Sequence, residues 1–190
     1  MYSGEHAEPK GNKILRSACG LLVMVALVLG LSWALRTFVF QAFEIPSGSM
    51  EQTIMTGDMV FSEKVSYYFR DPQQGDIVTF QDPQTPGRVL IKRVIATGGQ
   101  TVDLVDGKVV VDGVVLVEPY TRGKESAPLN PTPGVSITYP YTVPEGYLWV
   151  MGDNRTNSQD SRHFGPIKES SVSGHAVFTY WPLDHMGSLG

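Results

Sequence analysis

The apolar residues of this chain follow two patterns, which change near residue 40. Before that point, Ser17 to Leu35 forms one uncharged run, SACGLLVMVALVLGLSWAL, with an arginine at each end. After it, apolar residues occur in short or alternating runs separated by Gly, Pro, Asp and Asn. The first pattern is typical of a membrane-spanning helix and the second of β-strands.

The long apolar run has the length of a transmembrane helix. A hydrocarbon core of about 30 Å needs roughly 20 helical residues, and Trp33 is placed to anchor one interface. A cleaved signal peptide is the alternative, but its apolar core is usually only about 7 to 15 residues long and ends in a small-x-small exit. The following LSWALRTFVFQ offers no clear exit. We therefore expect residues 17–35 to form a retained anchor.

The charges that flank this run predict its orientation. Three basic residues precede it, whereas Arg36 is the only one after it until Lys64. Because positive flanks stay in the cytoplasm, we expect residues 1–16 to be cytoplasmic and residues 36–190 to form an extracytoplasmic domain, with membrane lipid as a partner. The apolar tail from Thr37 to Phe40 fits either further membrane contact or a first strand.

The remaining runs predict a mainly β domain, with an antiparallel sheet or barrel-like fold. They are rich in Val, Ile, Thr, Tyr and Phe, and they read MVFSEKV, DIVTFQ, RVLIKRVIAT, KVVVDGVVLV, VSITYPYTV, GYLWVMG and HAVFTYW. Asp112 and Gly113 predict a two-residue hairpin turn. The proline-rich stretch from Thr121 to Gly134 predicts an exposed loop. No compositional break divides residues 36–190 into two domains.

Composition excludes some classes of function. Of all residues, 42% are apolar, which is enough for a core, and a net charge of −4 provides no basic patch for phosphates. Nucleic acid is therefore not an expected partner. Cys19 is the only cysteine, so no internal disulfide can form.

The stretch PSGSM, residues 46–50, contains a candidate nucleophile. Pro46 fixes one backbone angle and Gly48 permits positive ones. Ser47 and Ser49 can thus be held in a turn where backbone N–H groups converge, which supplies part of an oxyanion hole. Taken alone, the same tripeptide fits a polar loop between membrane and domain.

A serine nucleophile needs a base, and Lys92 is the candidate. Strand alternation puts Lys92 on the same face as Leu90 and Val94. A free lysine has a pKa of about 10.4, and lowering it to near 7 corresponds to about 4.6 kcal/mol, which lies within the reach of deep burial. The alternative is a lysine on an edge strand whose ammonium extends to solvent.

A dense polar run, MGDNRTNSQDSRHFGP, follows the apolar strand GYLWV. Ser158, Asp160 and Arg162 alternate in it, so they share a face if the segment is extended. Asp160 and Arg162 can then form an ion pair, and Ser158 can hydrogen-bond a neighbouring base. An exposed loop of turn-forming residues is the alternative.

Together these segments resemble the bacterial type I signal peptidases, which are membrane-bound serine proteases with a Ser/Lys dyad. The resemblance covers the N-terminal anchor, IPSGSM followed by TGDMVF, GDIVTF, LIKRV and GDNRTNSQDSR, all in the family's order. It implies an antiparallel β catalytic domain behind one transmembrane helix. It also implies an endopeptidase without cofactor or metal that removes signal peptides from exported preproteins after small-x-small (Ala-x-Ala) sites.

The resemblance assigns a role to each matching residue. Ser49 becomes the nucleophile and Lys92 its general base, while the Ser47 hydroxyl and the Ser49 backbone N–H form the oxyanion hole. Ser158 holds the Lys92 amine, and the pair of Asp160 and Arg162 braces the loop. Residues that match the pockets for substrate side chains are Phe43, Ile45, Met50, Leu90 and Ile91.

Three positions depart from the commonest family pattern. Gln52 stands in place of a frequent proline, Thr156 in place of an acidic residue, and His163 in place of an aromatic one. None belongs to the proposed dyad, so the departures affect fine geometry and not the reaction.

Three other functions fit parts of the sequence. One is a Ser-His-Asp hydrolase using His163 and Asp160. Another is a self-cleaving repressor with a Ser/Lys dyad, although those carry a DNA-binding domain where this chain has an apolar span. The third is a non-catalytic membrane-tethered module. The Ser/Lys hypothesis predicts a hydrogen bond between the side chains of Ser49 and Lys92.

Overall fold

The computed structural model describes residues 10–189, with side chains from residue 16 onward. Residues 1–9 of the predicted cytoplasmic segment, and His6 among them, lie outside the described residues. The described chain forms two compact units, one ending at Val39 and the other beginning at Phe40.

The first unit is a single helix, α1, from Lys10–Phe38. Its part Arg16–Phe38 is long and apolar enough to cross a membrane, and its apolar side chains are exposed. The predicted span, residues 17–35, lies within this helix, so an N-terminal apolar helix is confirmed. Thr37 belongs to its last turn, whereas Phe40 begins the first strand, so the tail is divided between helix and strand, and its contact with a membrane stays a prediction.

The second unit is built from β-strands, with a short α-helix, α2, at Ser161–Phe164 and several turns of 3₁₀ helix. In chain order, the strands β1 to β12 are Phe40–Glu44, Met59–Glu63, Ile77–Gln81, Val89–Thr97, Thr101–Val105, Lys108–Val111, Val114–Val115, Tyr141–Thr142, Tyr147–Met151, Ile167–Lys168, Val172–Trp181 and Gly187–Ser188.

These strands form two antiparallel sheets. The larger has the order β1-β2-β11-β3-β4-β9-β10, with β12 paired to β11, and the smaller has the order β7-β6-β5-β8. All pairs are antiparallel. The predicted mainly β, antiparallel fold class is therefore confirmed.

Most predicted strands form where the apolar runs placed them. The exception is VSITYPYTV, in which only Tyr141–Thr142 is a strand; Pro140 beside it has no N–H to donate to a ladder. Strands β5, β10 and β12 were missed. The predicted hairpin turn is present, and Asp112 and Gly113 both have positive φ, at 50° and 79°, as a type I′ turn requires.

The segment from Thr121 to Gly134 contains no strand, as predicted, but it is not exposed throughout. Thr121 and Ser126 are buried. The reason is electrostatic, because the Ser126 hydroxyl accepts a hydrogen bond of 2.6 Å from the buried guanidinium of Arg155.

An apolar core cluster lies next to the residues that carry the candidate nucleophile. Met50 and Ile54 are fully buried in it, together with Val60, Ile77 and Ile91. Because the residue after Ser49 is an anchor of this core, the position of the serine backbone depends on core packing and not on a flexible linker.

Candidate active site

The turn that presents Ser49 is held at both ends by backbone hydrogen bonds. Strand β1 ends at Glu44, and the Ile45 N–H then donates to the Asp58 carbonyl at 2.9 Å, while the Gly57 N–H donates to the Ile45 carbonyl at 2.8 Å. Between them Gly48–Met50 form one turn of 3₁₀ helix. A loop closed in this way fixes the serine relative to the sheet.

Ser49 and Lys92 meet, although 43 positions separate them in the chain. The Lys92 Nζ donates to the Ser49 Oγ at 2.7 Å and to the Ile91 carbonyl at 2.8 Å. The expected hydrogen bond between the two side chains is therefore present. Their catalytic roles stay a prediction.

Burial lowers the affinity of the Lys92 amine for a proton. Lys92 is only 2% exposed, and loss of hydration lowers its pKa from 10.5 to about 8. Asp160 and Asp153 oppose the shift through their negative charge, whereas the positive charge of Arg88 adds to it. A substantial fraction of molecules thus carries a neutral amine near physiological pH, as a general base requires.

A groove of about 210 Å³ opens beside this pair. Most of its wall is polar, with Leu90 and Phe164 as the apolar contribution; the complete lining is Ser47, Gly48, Ser49, Gln84, Arg88, Leu90, Lys92, Asn157, Gln159 and Phe164. Arg88 was detectable in the sequence, because it directly precedes β4 and continues the alternation of Leu90 and Lys92. Phe164 and the two glutamines lie in other segments and had no such signal.

One side of β4 is open next to the groove. Residues 89–92 pair with β3 on one side, whereas pairing with β9 begins only at Arg93. Within residues 10–189 no strand covers the other side of this short segment. An open strand edge can receive an extended peptide by backbone hydrogen bonding.

The five predicted pocket residues occupy different environments. Leu90 lines the groove. Ile45, Met50 and Ile91 are buried in the apolar core cluster instead, and Phe43 is a half-buried residue of β1. The sequence shows that these residues are apolar but not whether they face the groove or the core.

Asp160 and Arg162 form the predicted ion pair, but not on an extended segment. Asp160 caps α2, where its carboxylate accepts from the Arg162 backbone N–H at 3.2 Å. The guanidinium also donates to this carboxylate from Nε and Nη2, each at 2.9 Å. Both side chains are at most 1% exposed, so the pair is a buried, fully bonded brace of the loop.

The predicted hydrogen bond from Ser158 to Lys92 is absent. The Ser158 Oγ is buried and has no hydrogen-bond partner in the described part of the chain, and the lysine amine donates to Ser49 and Ile91. The hydroxyl lies against Gly152, where a Cβ would collide with both the Ser158 Oγ and the Ser49 carbonyl. This position therefore requires glycine.

A second layer of charged groups, missed from the sequence, supports the site. Arg93 donates to the Asp153 carboxylate at 2.9 and 2.8 Å, and that carboxylate accepts from the Thr53 hydroxyl at 2.5 Å. Arg155 pairs with Glu118 at 2.6 Å. These contacts tie the 152–155 segment to β4 and to the small-sheet side of the domain.

The histidine alternative has no supporting geometry. The Nδ1 of His163 contacts the Asn130 carbonyl at 2.6 Å, and the carboxylate of Asp160 is bound by Arg162. Across the described residues, no group of three or more His, Cys, Asp or Glu side chains could hold a metal ion.

A serine hydroxyl bonded to a buried lysine amine in a polar groove is the arrangement of a serine hydrolase with a lysine base. Comparisons with known proteins point to the same class. Residues 18–181 match the family model described as signal peptidase, peptidase S26. The chain belongs to this family, and the resemblance seen in the sequence is confirmed, as is its assignment to the serine peptidases.

Individual relatives agree over most of the chain. It is 43% identical over 176 residues to the probable signal peptidase I-1 of Synechocystis sp., covering 89% of this chain and 84% of that protein. It is 34% identical to the signal peptidase I of Leptolyngbya laminosa, covering 97% and 88%. A solved signal peptidase I from Enterococcus faecalis matches with a TM-score of 0.44 and 33% identity, covering 56% of this chain and 97% of that one.

Proposed function

We propose that this protein is an endopeptidase that removes signal peptides from exported preproteins, with Ser49 as nucleophile and Lys92 as general base. The observation that carries the proposal is the 2.7 Å hydrogen bond between the Lys92 amine and the Ser49 hydroxyl. It supports direct proton transfer, because a base must lie within hydrogen-bond reach of the proton it takes.

The reaction follows from this contact. Neutral Lys92 accepts the Ser49 proton as Oγ attacks the scissile carbonyl carbon, and the oxyanion accepts hydrogen bonds from the Ser49 N–H and the Ser47 hydroxyl. The Lys92 ammonium then protonates the leaving amine. A water molecule, deprotonated by the same amine, hydrolyses the acyl ester and frees Ser49.

The substrate is proposed to bind as an extended strand. The open edge at residues 89–92 offers backbone partners, and alternate substrate side chains then point into the groove. A groove of about 210 Å³ shared between two side chains favours small ones. This supports a requirement for residues such as Ala at the first and third positions before the cut.

The apolar helix is proposed to be a single membrane anchor, residues 17–35, with residues 1–16 in the cytoplasm and residues 36–190 on the extracytoplasmic side. Lipid is then a permanent partner, and the net charge of −4 gives no reason to expect nucleic acid. An anchored site lies near membrane-confined signal peptides, which raises their effective concentration.

The proposal is tested by cleavage with the full chain in detergent. We expect a preprotein with an Ala-x-Ala site to be cut after the second Ala, and the same preprotein with Phe at that position to remain intact. A Ser49→Ala protein, purified identically, supplies the blank. Equal cutting by Ser49→Ala, or no cutting by the wild type, would show that the proposed reaction is wrong.

The pH dependence of cleavage tests the lysine base. Because the pKa of Lys92 is about 8 and only the neutral amine accepts a proton, we expect kcat/KM to rise with pH and reach half its plateau near pH 8. Well below that, it should fall about tenfold per pH unit. A midpoint near 6.5 would indicate a histidine base instead.

Arg88 should influence this midpoint. Its positive charge helps to lower the pKa of Lys92, so Arg88→Gln should move the midpoint to higher pH. Arg70→Gln is the control, because Arg70 pairs with Asp76 and is not among the main charges that shift the pKa of Lys92. A downward shift in Arg88→Gln would contradict the electrostatic account.

A further inference from the structure

Asn154 connects the turn that carries Ser49 to a lysine from another part of the chain. Its Nδ2 donates to the Gly48 carbonyl at 2.7 Å, and its Oδ1 accepts from the Lys124 Nζ at 2.6 Å. Its backbone N–H donates to the Ser49 carbonyl at 3.1 Å. Asn154 is only 3% exposed, so this is a built contact between three distant segments.

The peptide unit held by Asn154 is the one that contains the Ser49 N–H. In a planar trans peptide, the carbonyl of one residue and the N–H of the next point in opposite directions. The 2.7 Å hydrogen bond from Asn154 to the Gly48 carbonyl, together with the longer one of 3.2 Å that this carbonyl accepts from the Glu51 N–H, therefore fixes the direction of the Ser49 N–H. The bond to the Ser49 carbonyl fixes the following peptide, so the unit cannot rotate at either end without losing a hydrogen bond.

Lys124 determines which end of the Asn154 amide faces the turn. An amide has one donor end and one acceptor end of similar shape, whereas an ammonium only donates. When the Asn154 Oδ1 faces Lys124, the Asn154 Nδ2 points to the Gly48 carbonyl. The reversed amide would oppose two oxygens at Gly48 and two donors at Lys124. The Glu51 carboxylate, 3.4 Å from Nδ2, favours the same orientation.

We infer that Lys124 and Asn154 are positioning residues for the oxyanion hole: the Lys124 charge orients the Asn154 amide, which aims the Ser49 N–H at the reacting carbonyl. This inference rests on the proposed function, because it assigns the Ser49 N–H to oxyanion binding. Neither side chain touches the reacting atoms. Lys124 stands in the segment 121–134, which the sequence presents only as a surface loop.

The experiment compares Lys124→Met, which keeps length and loses the donor, with Lys124→Arg, which restores a cation. Lys108→Met is the matched control, because Lys108 lines the same cleft as Lys124 without taking part in these bonds. Loss of an oxyanion donor costs about 10²- to 10³-fold in kcat, and misdirection should cost less. We expect a fall of about tenfold in Lys124→Met, with KM and the pH midpoint unchanged.

Lys124→Arg should recover kcat to within about threefold, and Lys108→Met should equal wild type. Affinity for a peptide aldehyde, whose adduct with Ser49 is tetrahedral, should fall in Lys124→Met in proportion to kcat. An unchanged kcat in Lys124→Met, or a rise in its KM alone, would overturn the inference. So would a kcat equal to that of wild type at a temperature where Lys124→Met is completely folded, because the loss would then come from unfolding.

A crystal structure of Lys124→Met separates this inference from the proposed function. If the wild type does not cleave the preprotein, the proposed function is wrong, but the crystal structure of Lys124→Met still tests whether Lys124 orients the Asn154 amide. A reversed Asn154 amide or a rotated Gly48–Ser49 peptide supports it, and an unchanged peptide in which Asn154 still donates to the Gly48 and Ser49 carbonyls overturns it.

Discussion

Replacing Lys92 with methionine is expected to abolish cleavage and, at the same time, to stabilise the folded protein. General bases contribute about 10²- to 10⁴-fold to rate, so kcat should fall by about 10³-fold or more. Stability should change in the opposite direction, because the wild-type fold buries an ammonium that water hydrates in the unfolded chain. Methionine has similar length and no charge to desolvate.

The size of the stabilisation follows from the lowered pKa. A decrease from 10.5 to about 8, at 1.36 kcal/mol per pKa unit, corresponds to about 3 kcal/mol. Below pH 8 both states carry the proton, and the folded state bears the whole cost. Between pH 8 and 10.5 the unfolded chain binds more protons than the folded one, so wild-type stability rises with pH.

The stability difference between Lys92→Met and wild type should therefore be largest below pH 8 and vanish near pH 10.5. Denaturant unfolding at pH 7 and at pH 10, followed by tryptophan fluorescence to which the buried Trp149 contributes, measures it. Lys168→Met is the control, since Lys168 is exposed on β10; it should change neither property. If Lys92→Met is less stable than wild type at pH 7, burial of the ammonium is not the dominant effect.

The same strand that carries this prediction shows why part of the site was predictable. On β4, alternation placed Leu90 and Lys92 on one face, and a two-residue period needs no knowledge of distant contacts. The hydrogen bond between Lys92 and Ser49 was predicted only through the resemblance, because spacing along a chain contains no distance. The role of Lys124 could not be predicted, since the sequence around a single lysine in a loop gives no indication of the residue that it contacts.

The run from Ser158 to Arg162 shows a different reason for error. Alternation suggested an extended segment, but Asp160 caps the short helix Ser161–Phe164, and Gly165, whose φ is 80°, follows it. Both signals were in the sequence, because Asp is a preferred N-cap residue and Gly a preferred residue after a helix. The ion pair was nevertheless correct, since two residues on a capped turn are as close as two on one strand face.

That ion pair carries the second large effect: replacing Arg162 with glutamine is expected to destabilise the domain by about 3 to 5 kcal/mol. The guanidinium is 1% exposed and donates to the Asp160 carboxylate, to the Arg155 carbonyl at 2.9 Å and to the Ala127 carbonyl at 3.1 Å. Glutamine cannot reach all three acceptors, and it leaves the buried carboxylate without its ion-pair partner.

Arg70→Gln is the matched control, because Arg70 also pairs with an aspartate, Asp76, but its side chain is 34% exposed. Water can replace much of that interaction, so its loss should cost about 1 kcal/mol or less. Urea unfolding at pH 7 measures both variants.

Adding Asp160→Asn to Arg162→Gln removes the unpaired charge and should recover part of the lost stability, since the penalty comes mainly from the unpaired buried carboxylate. Equal losses in the two single variants, or no recovery in the double variant, would show that the segment is held by packing and not by the buried pair.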